Sequence, residues 1–198
     1  MTTVTQTPPA SLYRASEDVT PGIIVMGAAG CGKSTTGLLL ANALGGAFID
    51  ADNLHPAISL AKMASGQPLT DDDRWPWLHA VAAVFAKADS RATAVIACSA
   101  LRRVYRDLLR AGAERPLVFV HLSGTRNLHA ERLRGRTGHF MPPTLLDSQL
   151  ALLEPLQPDE DGVVVDIADT PEVIVDAVLR TLRAHRVTVV GQQDPQNI

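Results

Sequence analysis

The most constraining feature of the sequence is the segment Gly27-x4-Gly32-Lys33-Ser34, which lies between an apolar run and a helix-like run. The pattern G-x-x-x-x-G-K-[ST] is typical of a loop whose backbone N–H groups surround phosphates. Glycine permits the tight turns, the next helix directs its positive dipole end at the anion, and lysine neutralises phosphate charge. A glycine-rich turn with a solvated lysine is the alternative, but the strand-to-helix context favours a nucleoside triphosphate site.

Five short apolar runs alternate with helix-like segments along the chain. They are GIIVMG (22–27), AFID (47–50), TAVIAC (93–98), LVFVHL (117–122) and GVVVDI (162–167). Continuous rather than alternating apolar residues indicate strands that are covered on both faces. Alternation of strands and helices predicts an α/β fold with a parallel sheet.

Composition narrows the classes of function. The 198 residues suit one domain, 46% of them are hydrophobic, and the net charge of −3 gives no reason to expect nucleic acid as a partner. No apolar run approaches the roughly 20 residues of a membrane span, and the N-terminus lacks a secretory pattern, so we expect a cytoplasmic protein without a membrane partner. In that compartment Cys31 and Cys98 are expected to be buried thiols rather than a disulfide.

The domain boundaries follow from polar, proline-containing ends. Residues 1–20 are expected to form a flexible arm, 21–186 a single domain, and 187–198 a tail.

Two carboxylates follow the second predicted strand. Asp50 and Asp52 lie at its carboxyl end, where ligands bind in open α/β sheets, and strand alternation predicts that both side chains face one side. A kinase needs one carboxylate near Mg²⁺ and another to accept the proton of the attacking hydroxyl. The base-reading motif of GTPases is absent, and the third strand ends without the acidic residue usual in motor and transport ATPases. These observations favour a kinase, although Asp52 as a helix cap is the alternative.

The acceptor side is indicated more weakly. Asp71, Asp72 and Asp73 open a predicted helix, and Arg74 in its first turn can bind a carboxylate through two hydrogen bonds. A capped helix with a surface arginine is the alternative, and His55 alone is more often structural than functional.

Several segments together resemble the small bacterial gluconokinase family, from about Gly22 to Asp166: VMGAAGCGKS, DADNLHP, KMASGQPLTDDDRWPWL, CSALRRVYRDLLR and GHFMPPTLLDSQLALLEP. The resemblance implies transfer of a phosphoryl group from ATP to the 6-hydroxyl of D-gluconate, with Mg²⁺. It also implies a three-layer P-loop kinase fold like shikimate and adenylate kinases, with strand order 2-3-1-4-5, a mobile lid at about 125–142, and a homodimer.

The resemblance also implies roles for individual residues. The expected ATP-binding residues are those of the loop: Gly27, Ala28, Ala29, Gly30, Cys31, Gly32, Lys33, Ser34 and Thr35. Ser34 and Asp50 are expected at the metal. The acceptor is expected to contact a further set of side chains: Asp52, His55, Arg74, Ser99, Arg103 and His139. The expected catalytic residues are Lys33, Asp50, Asp52, Arg132 and Arg136, where the roles of the two aspartates can be exchanged.

Two other functions remain open from the residues alone. One is a kinase of another small hydroxy acid such as shikimate, and the other is a nucleotide-binding regulator without catalysis. One departure from related loops is Cys31 in place of a common serine, and we expect this thiol to be sensitive to thiol reagents.

Overall fold

The computed structural model describes residues 4–6, 19–135 and 143–184. Its central sheet contains five parallel strands: β2 (Gly22–Met26), β3 (Ala47–Asp50), β4 (Ala94–Ala97), β5 (Leu117–Ser123) and β6 (Gly162–Asp166). Their spatial order is β3-β4-β2-β5-β6. This confirms the α/β class and the predicted order 2-3-1-4-5, because the loop-bearing strand β2 lies at the centre, between β4 and β5.

A sixth strand was not predicted. β1 (Val4–Gln6) pairs antiparallel with β6, with Val4 opposite Val165. Residues 4–6 therefore differ from the flexible arm expected over 1–20, because the outer edge of β6 offers unpaired backbone groups that a passing segment can use. Residues 7–18 of the arm and the expected tail at 187–198 lie outside the described residues.

Helices cover both faces of the sheet. α1 (Lys33–Ala43) and α7 (Pro171–Ala184) contribute to one buried cluster, and α3 (Asp71–Lys87) and α4 (Arg103–Gly112) to the other. Within β2, Ile23 belongs to the first cluster and Ile24 to the second, as expected for side chains that alternate across a strand. The fold therefore has three layers, and it explains why the strands are apolar throughout.

Three further helices and one turn complete the fold. They are α2 (Ala57–Ala64), α5 (Arg126–Arg134), α6 (Pro143–Leu152) and a 3₁₀ turn at Ala51–Leu54. Among the described helices, none is both long and apolar enough to cross a bilayer.

The start of α3 is fixed by its own sequence. The Thr70 hydroxyl accepts a hydrogen bond from the Asp73 N–H at 3.3 Å, and the Asp73 carboxylate accepts one from the Thr70 N–H at 2.9 Å. This reciprocal cap satisfies two N–H groups that the helix leaves free, and Asp71–Asp73 suit the positive dipole end. The cap also sets which side of the first turn carries Arg74.

Candidate active site

One cleft of about 610 Å³ lies at the carboxyl ends of the central strands. Six residues of the predicted phosphate loop line it: Ala29, Gly30, Gly32, Lys33, Ser34 and Thr35. The same cleft is lined by five residues predicted on the acceptor side or at the metal: Asp50, Asp52, His55, Arg74 and Ser99. Residues from four separate parts of the sequence therefore share one volume, as a two-substrate reaction requires.

The loop needs glycine at two positions for steric reasons. At Gly27 (φ +139°) a Cβ would lie 2.6 Å from the Leu122 carbonyl oxygen, and at Gly30 (φ +79°) it would lie 2.7 Å from the His129 carbonyl oxygen. A side chain at either position would also adopt a backbone conformation that other residues rarely reach. These glycines seat the loop against β5 and α5, with α1 beginning directly after it.

Lys33 is held by the loop that precedes it. Its ammonium donates hydrogen bonds to the carbonyl oxygens of Gly27 at 3.0 Å and Ala28 at 3.3 Å. The charge therefore sits beside the cleft at the N-terminus of α1, where the helix dipole also favours an anion.

The two predicted carboxylates differ in their local structure. The Ser34 hydroxyl donates to Asp50 Oδ2 at 2.6 Å, and Asp50 Oδ1 accepts from the Asp52 N–H at 3.1 Å. Asp52 lies in the 3₁₀ turn rather than in β3, so strand alternation is the wrong reason for its position. The Asp50 carboxylate caps this turn and the turn directs the chain along the cleft, so both aspartates line it.

Arg74 is buried in a polar cluster at the acceptor end of the cleft. Arg74 as a whole residue is 9% exposed. Its guanidinium donates to the Tyr105 hydroxyl at 3.3 Å and lies 3.5 Å from the Asp71 carboxylate. Arg102 also pairs with Asp71, at 2.5 Å. The hydrogen bond from Tyr105, with smaller contributions from both arginines, keeps the pKa of Asp71 below its usual value. Arg102 also lies 3.4 Å from Glu154, so the cluster joins two arginines to two carboxylates, and Arg74 is its member that lines the cleft.

His55 is held against an aromatic ring. It stacks on Trp77 with centroids 4.2 Å apart, and the Trp77 indole N–H donates to the Ala51 carbonyl at 2.7 Å. Burial lowers the pKa of His55; Asp52 opposes this shift and Arg74 adds to it. The imidazole is therefore neutral at pH 7, and its buried Nδ1 has no hydrogen-bond partner among the described residues.

Arg132 connects the loop to the other side of the cleft. Its guanidinium donates to the Cys31 carbonyl at 3.4 Å, and to the carbonyls of Ile167 and Asp169 in the connection between β6 and α7. The predicted lid at 125–142 is described only as far as Gly135, and the catalytic candidate Arg136 and the acceptor candidate His139 lie outside the described residues.

Among the predicted site residues that the structure describes, four do not line the cleft: Gly27, Ala28, Cys31 and Arg103. The thiol of Cys31 is fully buried beneath the loop, packed in the same cluster as Leu40, so the expected sensitivity to thiol reagents is wrong for the folded protein. Cys31 and Cys98 are free thiols, as expected.

Arg103 points away from the cleft. It makes two hydrogen bonds to Asp159, at 2.8 and 2.9 Å, and one to Asp107 at 2.8 Å. The structure therefore holds this guanidinium in ion pairs outside the cleft, and the neighbouring Arg102, which pairs with Asp71 and Glu154, does not line the cleft either. Sequence alone did not distinguish two adjacent arginines at the start of a helix.

Several residues that line the cleft were not predicted from the sequence, among them Met63, Gln67 and Gln149. The loop N–H of Ala29 donates to Gln149 Oε1 at 2.8 Å, and the Ala29 carbonyl oxygen lies 2.8 Å from His129 Nδ1. Each of the two contacts joins residues at least 100 positions apart. Patterns of neighbouring residues in the sequence do not predict contacts over such separations.

Comparison with known proteins agrees with this geometry. The family model for shikimate kinase matches residues 29–183. The chain is 43% identical to the gluconokinase of Gluconobacter oxydans over 164 residues, which cover 82% of this chain and 91% of that protein.

Solved structures give the same result. A gluconokinase from Sinorhizobium meliloti 1021 has a TM-score of 0.77 and 46% identity, covering 84% of this chain and 93% of that one. Shikimate kinase from Aquifex aeolicus has a TM-score of 0.53 at 18% identity, covers 82% of this chain and 96% of that one, and shares the fold. With this identity over most of its length, and with a phosphate loop that opens onto a carboxylate-lined and arginine-lined cleft, the chain belongs to the gluconokinase family.

Proposed function

We propose that the protein is a gluconokinase, which transfers the γ-phosphoryl group of ATP to the 6-hydroxyl of D-gluconate. The observation that carries this proposal is the single cleft in which a phosphate loop, two carboxylates and a buried arginine meet. Relatives named as gluconokinases at 43% and 46% identity support the substrate. The hydroxyl oxygen forms a bond to the γ-phosphorus, the bond to the bridging oxygen breaks, and ADP leaves.

The donor half binds ATP through backbone N–H groups of the loop. Lys33 exchanges its hydrogen bonds to the Gly27 and Ala28 carbonyls for phosphate oxygens, and so follows the charge that develops on the transferring group. Arg132 supplies a second positive charge beside the loop. We propose that Arg136 also supplies positive charge to the transferring phosphoryl group.

One side chain at the end of β3 and one at the start of α1 fit Mg²⁺. Ser34 Oγ and Asp50 Oδ2 are hard oxygen donors 2.6 Å apart beside the phosphate loop. The described residues contain no group of three His, Cys, Asp or Glu able to hold a metal alone, so phosphates and water would complete the coordination. When bound, Mg²⁺ neutralises phosphate charge and orients the phosphates.

The acceptor half of the cleft binds gluconate and accepts the proton of its 6-hydroxyl group. We propose Asp52 as the group that accepts the 6-hydroxyl proton, with Asp50 as the alternative, since both line the cleft. Arg74 holds the gluconate carboxylate, and His55 and Ser99 contact its hydroxyls. His139 remains a proposed contact, whereas Arg103 is held in ion pairs outside the cleft, so Arg74 is the arginine that we propose at the carboxylate. A cytoplasmic homodimer is proposed from the family resemblance.

The test is an assay with ATP, Mg²⁺ and a panel of sugar acids, coupled to 6-phosphogluconate dehydrogenase for gluconate and to ADP formation for the others. We expect turnover with gluconate well above that with water, idonate or shikimate. Lys33→Ala should lower kcat by about 10³-fold, because the phosphoryl charge peaks in the transition state. Faster turnover of another acid would refute the substrate, and nucleotide binding without transfer to any acid would indicate a regulator.

A further inference from the structure

The first turn of the phosphate loop is held from both sides by the helices that flank residues 136–142. The Ala29 carbonyl oxygen lies 2.8 Å from His129 Nδ1 of α5, and the Ala29 N–H donates to Gln149 Oε1 of α6 at 2.8 Å. His129 is 2% exposed. One loop residue therefore has both backbone polar groups bound by side chains, and one of these side chains, Gln149, also lines the cleft.

Chemistry fixes the orientation of the Gln149 carboxamide. A backbone N–H can only donate, so the atom that faces Ala29 must be the carbonyl oxygen Oε1 and not the amino group. The Gln149 Nε2 group makes no hydrogen bond to the described residues. The amide therefore presents two N–H donors in a wall of the cleft, at the start of the phosphate loop.

We propose that Gln149 contacts the substrate directly: Oε1 stays on the Ala29 N–H while the amino group donates to the γ-phosphoryl group as it is transferred. This inference rests on the proposed phosphotransferase function. Phosphoryl oxygens only accept hydrogen bonds, and a bond to a charged acceptor is stronger than one between neutral groups. Because Ala29 anchors the carboxamide, the donors are positioned before the substrate arrives and need no rearrangement during the reaction.

This arrangement differs from a purely structural clamp in what it requires of the side chain. A clamp needs only the acceptor oxygen on Ala29, which glutamate supplies as well as glutamine does. A donor to the phosphoryl group needs the amino group, which glutamate replaces with a negative oxygen that repels phosphate. The pair Gln149→Glu and Gln149→Leu therefore separates the two roles.

The experiment measures kcat, both KM values and thermal stability for these variants, with Gln157→Glu as the matched control. Gln157 is an exposed glutamine, outside the residues that line the cleft, whose amino group donates to the Pro155 carbonyl. We expect both Gln149 variants to lose about 10- to 100-fold in kcat while KM for gluconate changes less than about threefold. Gln149→Glu should keep the melting temperature of the wild type.

Two results would overturn the inference. Near-normal kcat for Gln149→Glu would show that only the contact with Ala29 matters. Tighter binding of a non-hydrolysable ATP analogue to Gln149→Leu would show that Gln149 competes with phosphate for the Ala29 N–H. If the wild type prefers an acid other than gluconate, the comparison is made with that acid, so failure of the substrate assignment is distinguished from failure of this one.

Discussion

The donor wall of the cleft comes from one short run of sequence, whereas the acceptor wall is assembled from distant segments. Residues 29–35 supply the donor wall through a glycine-rich loop and the start of α1. The acceptor wall draws on the turn after β3, on α3 and on the segment after β4, and side chains hold these together. Phosphate binding by backbone N–H groups depends mainly on the local conformation of the loop. Binding of the acid depends on side chains that long-range ion pairs hold in place.

The deepest of these ion pairs is Arg106 with Glu160. Both side chains are fully buried, and their two hydrogen bonds are each 2.7 Å long. Burial alone would raise the pKa of Glu160, but hydrogen bonds from Arg106 and Arg110 outweigh it and lower the pKa to about 2. Arg106 also donates to the carbonyls of Ala100 and Leu101 at 3.3 Å. Ala100 has a φ of +40°, so the pair holds a strained segment next to Ser99.

The largest expected effect breaks the acceptor wall at this pair. Arg106→Ala removes the fully buried partner of the Glu160 carboxylate and leaves Arg110, which is partly exposed, as its close cation, so we expect the free energy of unfolding to fall by about 3–5 kcal/mol. Urea denaturation followed by circular dichroism measures it. Arg103→Ala, which removes a partly exposed pair with Asp159, is the control and should cost far less. Equal losses of unfolding free energy for the two variants would mean that the burial of the Arg106–Glu160 pair does not stabilise the acceptor wall.

A second prediction separates the two walls by kinetics. Arg74→Ala should raise KM for gluconate about 10- to 100-fold, because a charged hydrogen-bond pair to the carboxylate is lost, and should change KM for ATP less than about twofold. Steady-state assays with each substrate varied in turn measure both constants. Arg103→Ala should leave both KM values unchanged, since its side chain lies outside the cleft. An unchanged KM for gluconate in Arg74→Ala would remove Arg74 from the acid site.

The smallest expected effect lies in neither wall. His121 in β5 is 4% exposed, and neither ring nitrogen has a hydrogen-bond partner among the described residues. Burial, together with the nearby Arg106 and His129, lowers its pKa to about 4. The unfolded chain binds this proton near pH 6.5 and the folded one resists it until about pH 4, so stability should fall as pH drops through this range.

His121→Leu tests this by removing the titrating ring. The loss of stability between pH 7.5 and pH 5 should become smaller than in the wild type, as measured by urea midpoints at the two pH values. A residual loss is expected because burial also lowers the pKa values of His55 and His129. An unchanged loss would show that His121 does not contribute.

Features that depend on neighbours in sequence were predicted well. The five parallel strands were predicted from their apolar runs and the start of α3 from Asp71–Asp73, whereas the strand order was implied by the family resemblance. β1 could not be predicted, since its pairing depends on the free edge of β6, which lies far away in the sequence: Val4 pairs with Val165. Asp52 was placed in the cleft for the wrong reason, because the end of β3 is set by the cap that Asp50 makes.

Sequence by itself therefore determined the fold class, the phosphate loop and the carboxylates beside it, because each rests on contacts within a few residues or on the period of a strand. Only the tertiary structure decided that Arg74 lines the cleft while Arg103 lies outside it, and that Cys31 is buried. It also decided that Gln149 reaches Ala29 across 120 residues. Such contacts depend on how helices dock on the sheet, which no local pattern of residue types encodes.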